Sequence, residues 1–325
     1  MTPARERGMA LLIVLLLVAA MSVLVIAMLD DIRFGIRRAG NSEAIAQARW
    51  YALGAEALAG ERLRQAHAEG VDAFAPGGSA RQAMAFPLEH GGIRARVDDA
   101  TACFNLNSVV EGMPEAWRRR ELGVRQYVAL LRALDFPEHQ AQAMADALVD
   151  WIDSDQVRSP QGAEDAAYVG GDSGYRTGGA LLADASELRA IAHHPQAAYA
   201  RIRPLVCAQP TAAPSPVNIN ALRREHAPLL AMLTLGALAA DDAGAVLAAR
   251  PAGGWSDTLA FWGDPRLRAA PVPNQVYDQV ALRSRYVELV AEVDYAGAQV
   301  ALHSLLDLGA PERVRLVGRR WTHEE

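Results

Sequence analysis

Hydrophobic and polar residues divide the chain into three regimes. Residues 9–29 form an unbroken run of 21 residues without a charge, MALLIVLLLVAAMSVLVIAML. As a helix that run spans about 30 Å, the thickness of a bilayer core. From Ile32 apolar residues recur at helical spacing through Ile36, Ile45, Ala48, Tyr51, Leu53, Ala57, Leu58 and Leu63. This predicts one continuous helix to about Gln65, with Gly40-Asn41 as a soft point. Its second half is amphipathic and needs a globular surface for its apolar stripe.

Residues 73–85, with Pro76-Gly77-Gly78, read as a loop, and residues 92–98 alternate apolar with charged side chains as a strand does. Residues 114–250 read as helical. One helix carries Trp117, Leu122, Tyr127, Leu130, Leu131 and Leu134, and a second covers residues 138–152. Asp184-Ala185-Ser186-Glu187 has the form of a capping box before a helix around residues 188–193. Asn220 is placed to cap a helix over residues 221–233. Residues 286–293, 299–306 and 313–320 alternate again, joined by turn residues at Tyr295-Ala296-Gly297 and Gly309-Ala310-Pro311. Helix, strand, helical block and antiparallel strands imply an α+β fold in which the helical block is an insertion.

The ends of the apolar run set orientation. Arg5 and Arg7 precede it and favour an N-terminus on the cytoplasmic side, although Arg33, Arg37 and Arg38 follow it. A secretory signal would be shorter and cut behind small residues. Here the run continues past Ala19-Ala20, and Gly8 sits in front of it, so a cut after Gly8 leaves the apolar helix on the mature chain. A plain signal anchor is the competing reading.

Composition narrows the class. Half of the 325 residues are apolar, which supports real cores. A net charge of −6 argues against nucleic acid as partner. All basic charge is arginine, which reads as genomic bias. There are two cysteines, Cys103 and Cys207, without a CxxC. In an exported domain they pair, or else they are two buried thiols. Asp150, Asp153, Asp155, Glu164 and Asp165 place five carboxylates within sixteen residues. An oxygen-only set suits a hard cation such as Ca²⁺, and the alternative is an exposed acidic loop. The spacing is not that of an EF-hand. His193-His194 read as a cationic pair at a helix C-terminus, and no HExxH, P-loop or G-x-S-x-G occurs.

Several motifs together carry a family resemblance. Arg7-Gly8-Met9 plus the apolar run resembles a prepilin leader. Cys103-Phe104-Asn105-Leu106-Asn107 resembles an FNLN element. Asp150-Trp151-Ile152-Asp153-Ser154-Asp155, Gly162-Ala163-Glu164-Asp165 and Tyr168 resemble a W-[IL]-D-x-D … G-A-E-D-x-x-Y block. Val217-Asn218-Ile219-Asn220 resembles a later NVN element. In this order they resemble the K-type minor pseudopilins of type II secretion, within the type IV pilin-like superfamily.

The resemblance implies a leader at residues 1–8, a transmembrane helix at 9–29, and a pilin-like domain split between 30–107 and 281–325. A helical insert occupies 108–280. It implies cleavage by the prepilin peptidase between Gly8 and Met9, with N-terminal methylation. It places the protein in the bacterial inner membrane with its bulk in the periplasm, as a non-enzymatic tip subunit. Expected partners are I-type and J-type minor pseudopilins and the inner-membrane assembly platform. It implies calcium at Asp153, Asp155, Glu164 and Asp165, and a Cys103–Cys207 disulfide tying the ends of the insert. The family's P-Y-R-x-x-N continuation is Gly174-Tyr175-Arg176-Thr177-Gly178-Gly179 here, so a ligand from that Asn is not expected.

Most pilin-like chains carry Glu at the fifth mature position, where this chain has Ile13. A buried carboxylate there serves the N-terminal amine of a neighbouring subunit, and a tip subunit has no such neighbour to serve. Alternatives are a minor subunit of a type IV pilus, or a signal-anchored periplasmic enzyme using the acidic cluster.

Overall fold

The computed structural model describes residues 4–69, 74, 83–170, 174–310 and 313–322. The tip of the leader and most of the loop expected at 73–85 lie outside the described residues. Helix α1 (Ala4–Ala68) runs through Gly40-Asn41 without a break. Residues 9–43 are exposed throughout, and contact with the rest of the chain begins at Ala44. Its apolar segment is long enough to cross a membrane.

The buried stripe of α1 is Ala44, Ala48, Ala52, Ala55, Ala59 and Leu63. Of the expected stripe, Ala48 and Leu63 are buried and Ile45, Tyr51 and Leu53 pack partly buried against the sheet, whereas Ile32, Ile36 and Leu58 are exposed. Alanine lets the helix backbone approach the sheet closely, and the sheet supplies the bulk through Ile93, Val97, Val293, Val300 and Leu302.

That sheet has five antiparallel strands: β1 (Met84–Leu88), β2 (Gly91–Asp99), β9 (Tyr286–Tyr295), β10 (Ala298–Ala310) and β11 (Arg313–Thr322), in the order β1-β2-β9-β10-β11. β2 pairs with β9 across almost 200 residues, with Ile93 opposite Val293 and Val97 opposite Leu289. The segment between them is therefore an insertion, as its position in the sequence predicts. Strand β1 is a finding the sequence pattern missed, because MAFPL alternates weakly and contains Pro87. Proline is tolerated there because β1 is an edge strand. A polar tie fixes α1 on the sheet: Arg319 holds the Glu56 carboxylate at 2.5 Å, and the Ser304 hydroxyl also donates to it.

The insert has its own core, centred on α2 (Glu121–Ala133) and α3 (Glu138–Ile152). Tyr127, Leu130, Leu131, Met144, Leu148 and Ile152 are fully buried within it. α3 matches the sequence expectation, whereas α2 starts after Trp117. That residue lies in the connector between β4 (Val110–Glu111) and β5 (Arg118–Arg119), which pair as a hairpin.

Further on come α4 (Asp165–Tyr168), α5 (Gln196–Ile202), α6 (Ala227–Leu233) and α7 (Ala240–Ala248). The capping box at Asp184 forms, but it opens a 3₁₀ segment, Ala185–Ala190, rather than an α-helix. Asn220 does not cap a helix directly. Its amide brackets the Trp255 backbone, accepting from N–H at 2.8 Å and donating to C=O at 3.1 Å, and α6 begins later.

Short parallel pairs tie the start of the insert to its middle, and its middle to its end, so the disulfide joins the start of the insert to its middle and not to its other end. β3 (Phe104–Asn105) pairs in parallel with β6 (Val206–Cys207), and β7 (Val217–Asn218) with β8 (Val280–Ala281). Cys103 and Cys207 form a disulfide beside the first pair. The FNLN asparagines act as backbone clamps. Asn105 donates to the Thr211 carbonyl at 2.7 Å and accepts from Gln209 N–H at 3.0 Å. Asn107 brackets Leu182, donating to its C=O at 3.0 Å and accepting from its N–H at 2.8 Å. Both side chains are fully buried, so their polar atoms must be met inside the protein.

Candidate functional site

Helix α3 delivers the acidic cluster. The helix ends at Ile152 because Asp153 leaves helical geometry and caps it, its N–H still reaching the Val149 carbonyl at 2.8 Å. Ser154 is locked to Trp117 by two bonds, N–H to C=O at 3.0 Å and Trp117 N–H to Oγ at 2.9 Å. Asp155 then folds the chain by accepting from Val157 N–H at 2.7 Å. The chain returns through residues 156–163 to Glu164, which precedes α4.

This path brings Asp153, Asp155 and Glu164 together, one carboxylate oxygen of each lying within 4.8 Å of the others. Asp153 and Glu164 are both 6% exposed, and Asp155 faces solvent. Asp153 Oδ1 and both Glu164 carboxylate oxygens are buried with no hydrogen-bond partner. Burial, then the neighbouring Asp155, Asp150 and Glu164, pushes Asp153 up to about 7. Burial, then Asp150, pushes Glu164 up to about 7 as well. Buried carboxylates that face one another without donors or cations are costly. An oxygen-ligating cation relieves both the repulsion and the missing partners, so the residues fit Ca²⁺.

The other two carboxylates of the run are occupied elsewhere. Asp165, expected as a ligand, points away. Its Oδ1 accepts from the N–H and hydroxyl of Thr177 at 2.9 and 2.8 Å, and these bonds hold it below the usual aspartate range. Asp150 is fully buried, and both its oxygens accept from Ser159 N–H at 3.1 Å. Asp146, not singled out from sequence, is 2% exposed and lies one turn before Asp150 on α3. It pairs with Arg119 at 2.9 Å. The signal that could have revealed it is the i, i+4 spacing of two aspartates on the apolar face of a helix.

Around the site Trp151, Tyr168 and Tyr175 pack ring against ring at 5.3–5.9 Å. Tyr168 Oη accepts from Ala192 N–H at 3.1 Å and Tyr175 Oη donates to the Ala190 carbonyl at 2.8 Å, so the rings anchor this loop to the next segment.

His193-His194 is not a cationic pair at a helix end. The 3₁₀ segment stops at Ala190, and His194 is buried with its ring 3.0 Å from Tyr127 Oη. Burial pushes it down to about 4, so it is a neutral member of the core. The Gly8–Met9 peptide lies within α1.

A long, largely unpartnered apolar helix laid on an antiparallel sheet with an α-helical insert defines a pilin-like α+β protein. Models of type II secretion system (T2SS) protein K match residues 102–211 and 217–283. The chain is 36% identical over 300 residues to type II secretion system protein K of Aeromonas hydrophila, covering 89% of each chain. It is 31% identical to the Pseudomonas aeruginosa protein of the same name, covering 97% of this chain and 92% of that one. A crystal structure of the GspK-GspI-GspJ complex from the enterotoxigenic Escherichia coli type 2 secretion system matches with a TM-score of 0.75. That match is at 28% identity, over 88% of this chain and all of that one. The chain belongs to the type II secretion system protein K family, the K-type minor pseudopilins.

Proposed function

We propose that the chain is the tip subunit of the type II secretion pseudopilus, assembled with I- and J-type minor pseudopilins. The observation that carries this is α1. Its residues 9–43 are exposed throughout, while its C-terminal half is fastened to the sheet. A helix in that state is a joint between a globular head and a bundle of similar helices, first in the membrane and then in a filament. Ile13 removes the carboxylate that a subunit below another would use, and the large insert widens the head. The solved relative matched above was crystallised with GspI and GspJ, which supports the same partners here.

The prepilin peptidase cleaves between Gly8 and Met9, and the mature chain starts with the membrane helix. The head lies on the periplasmic side of the inner membrane, where the Cys103–Cys207 disulfide is stable. The role is structural and not enzymatic. Asp153, Asp155 and Glu164 hold calcium, which supplies the positive charge that lets the 153–164 turn stay folded.

Mass spectrometry of the membrane-extracted chain tests the assembly route. A methylated N-terminus at Met9, with co-purification of I- and J-type subunits, is the expected result. An intact Met1, or a start after Ala20, refutes the route.

A further inference from the structure

Two buried aspartates beside the candidate calcium site leave it and grip the loop that forms its far wall. Asp146 and Asp150 lie four residues apart on one face of α3. Asp150 accepts Ser159 N–H with both oxygens at 3.1 Å, and Ala163 N–H also bonds to it. Asp146 Oδ2 accepts Gln161 N–H at 3.2 Å, while its Oδ1 is held by Arg119 and Gln142, each at 2.9 Å. The same helix thus meets alternate amides of the return loop, at 159, 161 and 163, immediately before Glu164.

Gly162 shows how tight this grip is. A Cβ there would stand 2.0 Å from Asp150 Oδ2 and 3.1 Å from the Asp146 carbonyl oxygen. An added Cβ there must displace either the Asp150 carboxylate or the loop that it holds. By contrast Asp153 Oδ1 and both Glu164 oxygens are buried and bare. The carboxylates therefore sort by partner: those of Asp146 and Asp150 are met by donors, loop N–H groups among them and, for Asp146, the Arg119 and Gln142 side chains as well, and those of Asp153 and Glu164 are left to meet something else.

We propose that Asp146 and Asp150 are positioning residues, a clamp that seats the 158–163 loop on α3 and thereby sets Glu164 opposite Asp153 and Asp155. This rests on the reading of that trio as the calcium site. In such an arrangement Asp150 acts through hydrogen-bond acceptance and not through its charge, while Asp146 is also held by the Arg119 guanidinium. Replacing an orienting group of this kind weakens metal binding about 10–100-fold without removing a ligand.

The test uses the full chain in detergent. Calcium affinity is measured by calorimetry, and amide exchange of Ser159 and Gln161 is measured in calcium-free buffer. Asp150→Ala and Gly162→Ala should each weaken calcium more than about tenfold and strip protection from Ser159. Asp150→Asn keeps an acceptor for that N–H, so it should stay within about threefold of the wild type.

If Asp150→Asn weakens calcium as much as Asp150→Ala, Asp150 acts by charge as a ligand and the clamp is refuted. Unchanged exchange and affinity in Asp150→Ala and Gly162→Ala refute it too. Wild-type protein that binds no calcium sinks the calcium reading alone, and the exchange data then decide the clamp. Protection that vanishes in Asp150→Ala supports it, and an unprotected Ser159 in the wild type overturns it. Should Asp150→Ala lose its far-UV circular dichroism, Gly162→Ala tests the same contact from the loop side.

Discussion

Calcium binding to this chain should release protons, in a number that depends on pH. The perturbation is addition of Ca²⁺ to the metal-free protein. Without metal, burial and mutual repulsion hold both Asp153 and Glu164 at about 7, against ordinary values of 3.8 and 4.5. The two groups face each other and titrate as a coupled pair. Near pH 7 they share roughly one proton between them, near pH 5.5 close to two, and near pH 9 almost none. A bound cation requires both carboxylates ionised. Calcium should therefore displace about one proton at pH 7, about two at pH 5.5 and nearly none at pH 9.

The same shifts set the pH dependence of stability. A carboxylate whose folded value lies above its unfolded one favours the folded state while protonated. That contribution is fully present below the ordinary values near 4 and is lost as pH rises through about 7. The metal-free head should weaken over this interval, and calcium should raise its melting temperature more at pH 8 than at pH 5. Calorimetry at pH 7 in two buffers of different ionisation enthalpy measures the protons directly. A binding heat that does not change with the buffer at pH 7 would show that Asp153 and Glu164 are already ionised, and would refute the reasoning.

Two further outcomes test the fold. The Cys103–Cys207 bond closes a loop of 104 residues, for which chain entropy gives about 4.7 kcal/mol. The Cys103→Ser/Cys207→Ser pair should cost roughly 2–5 kcal/mol in denaturant unfolding, and a loss under about 1 kcal/mol would place the stapling of the insert elsewhere. A Cβ at Gly123 on α2 would sit 2.0 Å from the Ser108 carbonyl oxygen, whereas nothing lies within 4 Å of one at Gly60 on α1. Gly123→Ala should destabilise by about 1–3 kcal/mol, while Gly60→Ala should be neutral or slightly stabilising; equal melting temperatures for the two variants would contradict the close packing.

The amino-acid order alone determined what depends on local periodicity and on short motifs. The apolar run, the continuation of α1, α3 to its last residue and the three C-terminal strands were all legible. Each repeats at 3.6 or 2 residues over a long enough stretch. The order of elements also exposed the insertion, because strand character returns only after the helical block.

What long-range packing decides was not legible. The buried stripe of α1 turned out to be mostly alanine, since the sheet it meets supplies the bulk and the helix need only come close. His194 became a neutral core group because Tyr127, 67 residues away, covers it. The five carboxylates looked equivalent as a run. The ligand set expected from the sequence already left out Asp150, which Ser159 occupies, but only the tertiary structure separated Asp153, Asp155 and Glu164 from Asp165, which Thr177 occupies. A carboxylate's role is set by which donors reach it through space, and no local pattern records that.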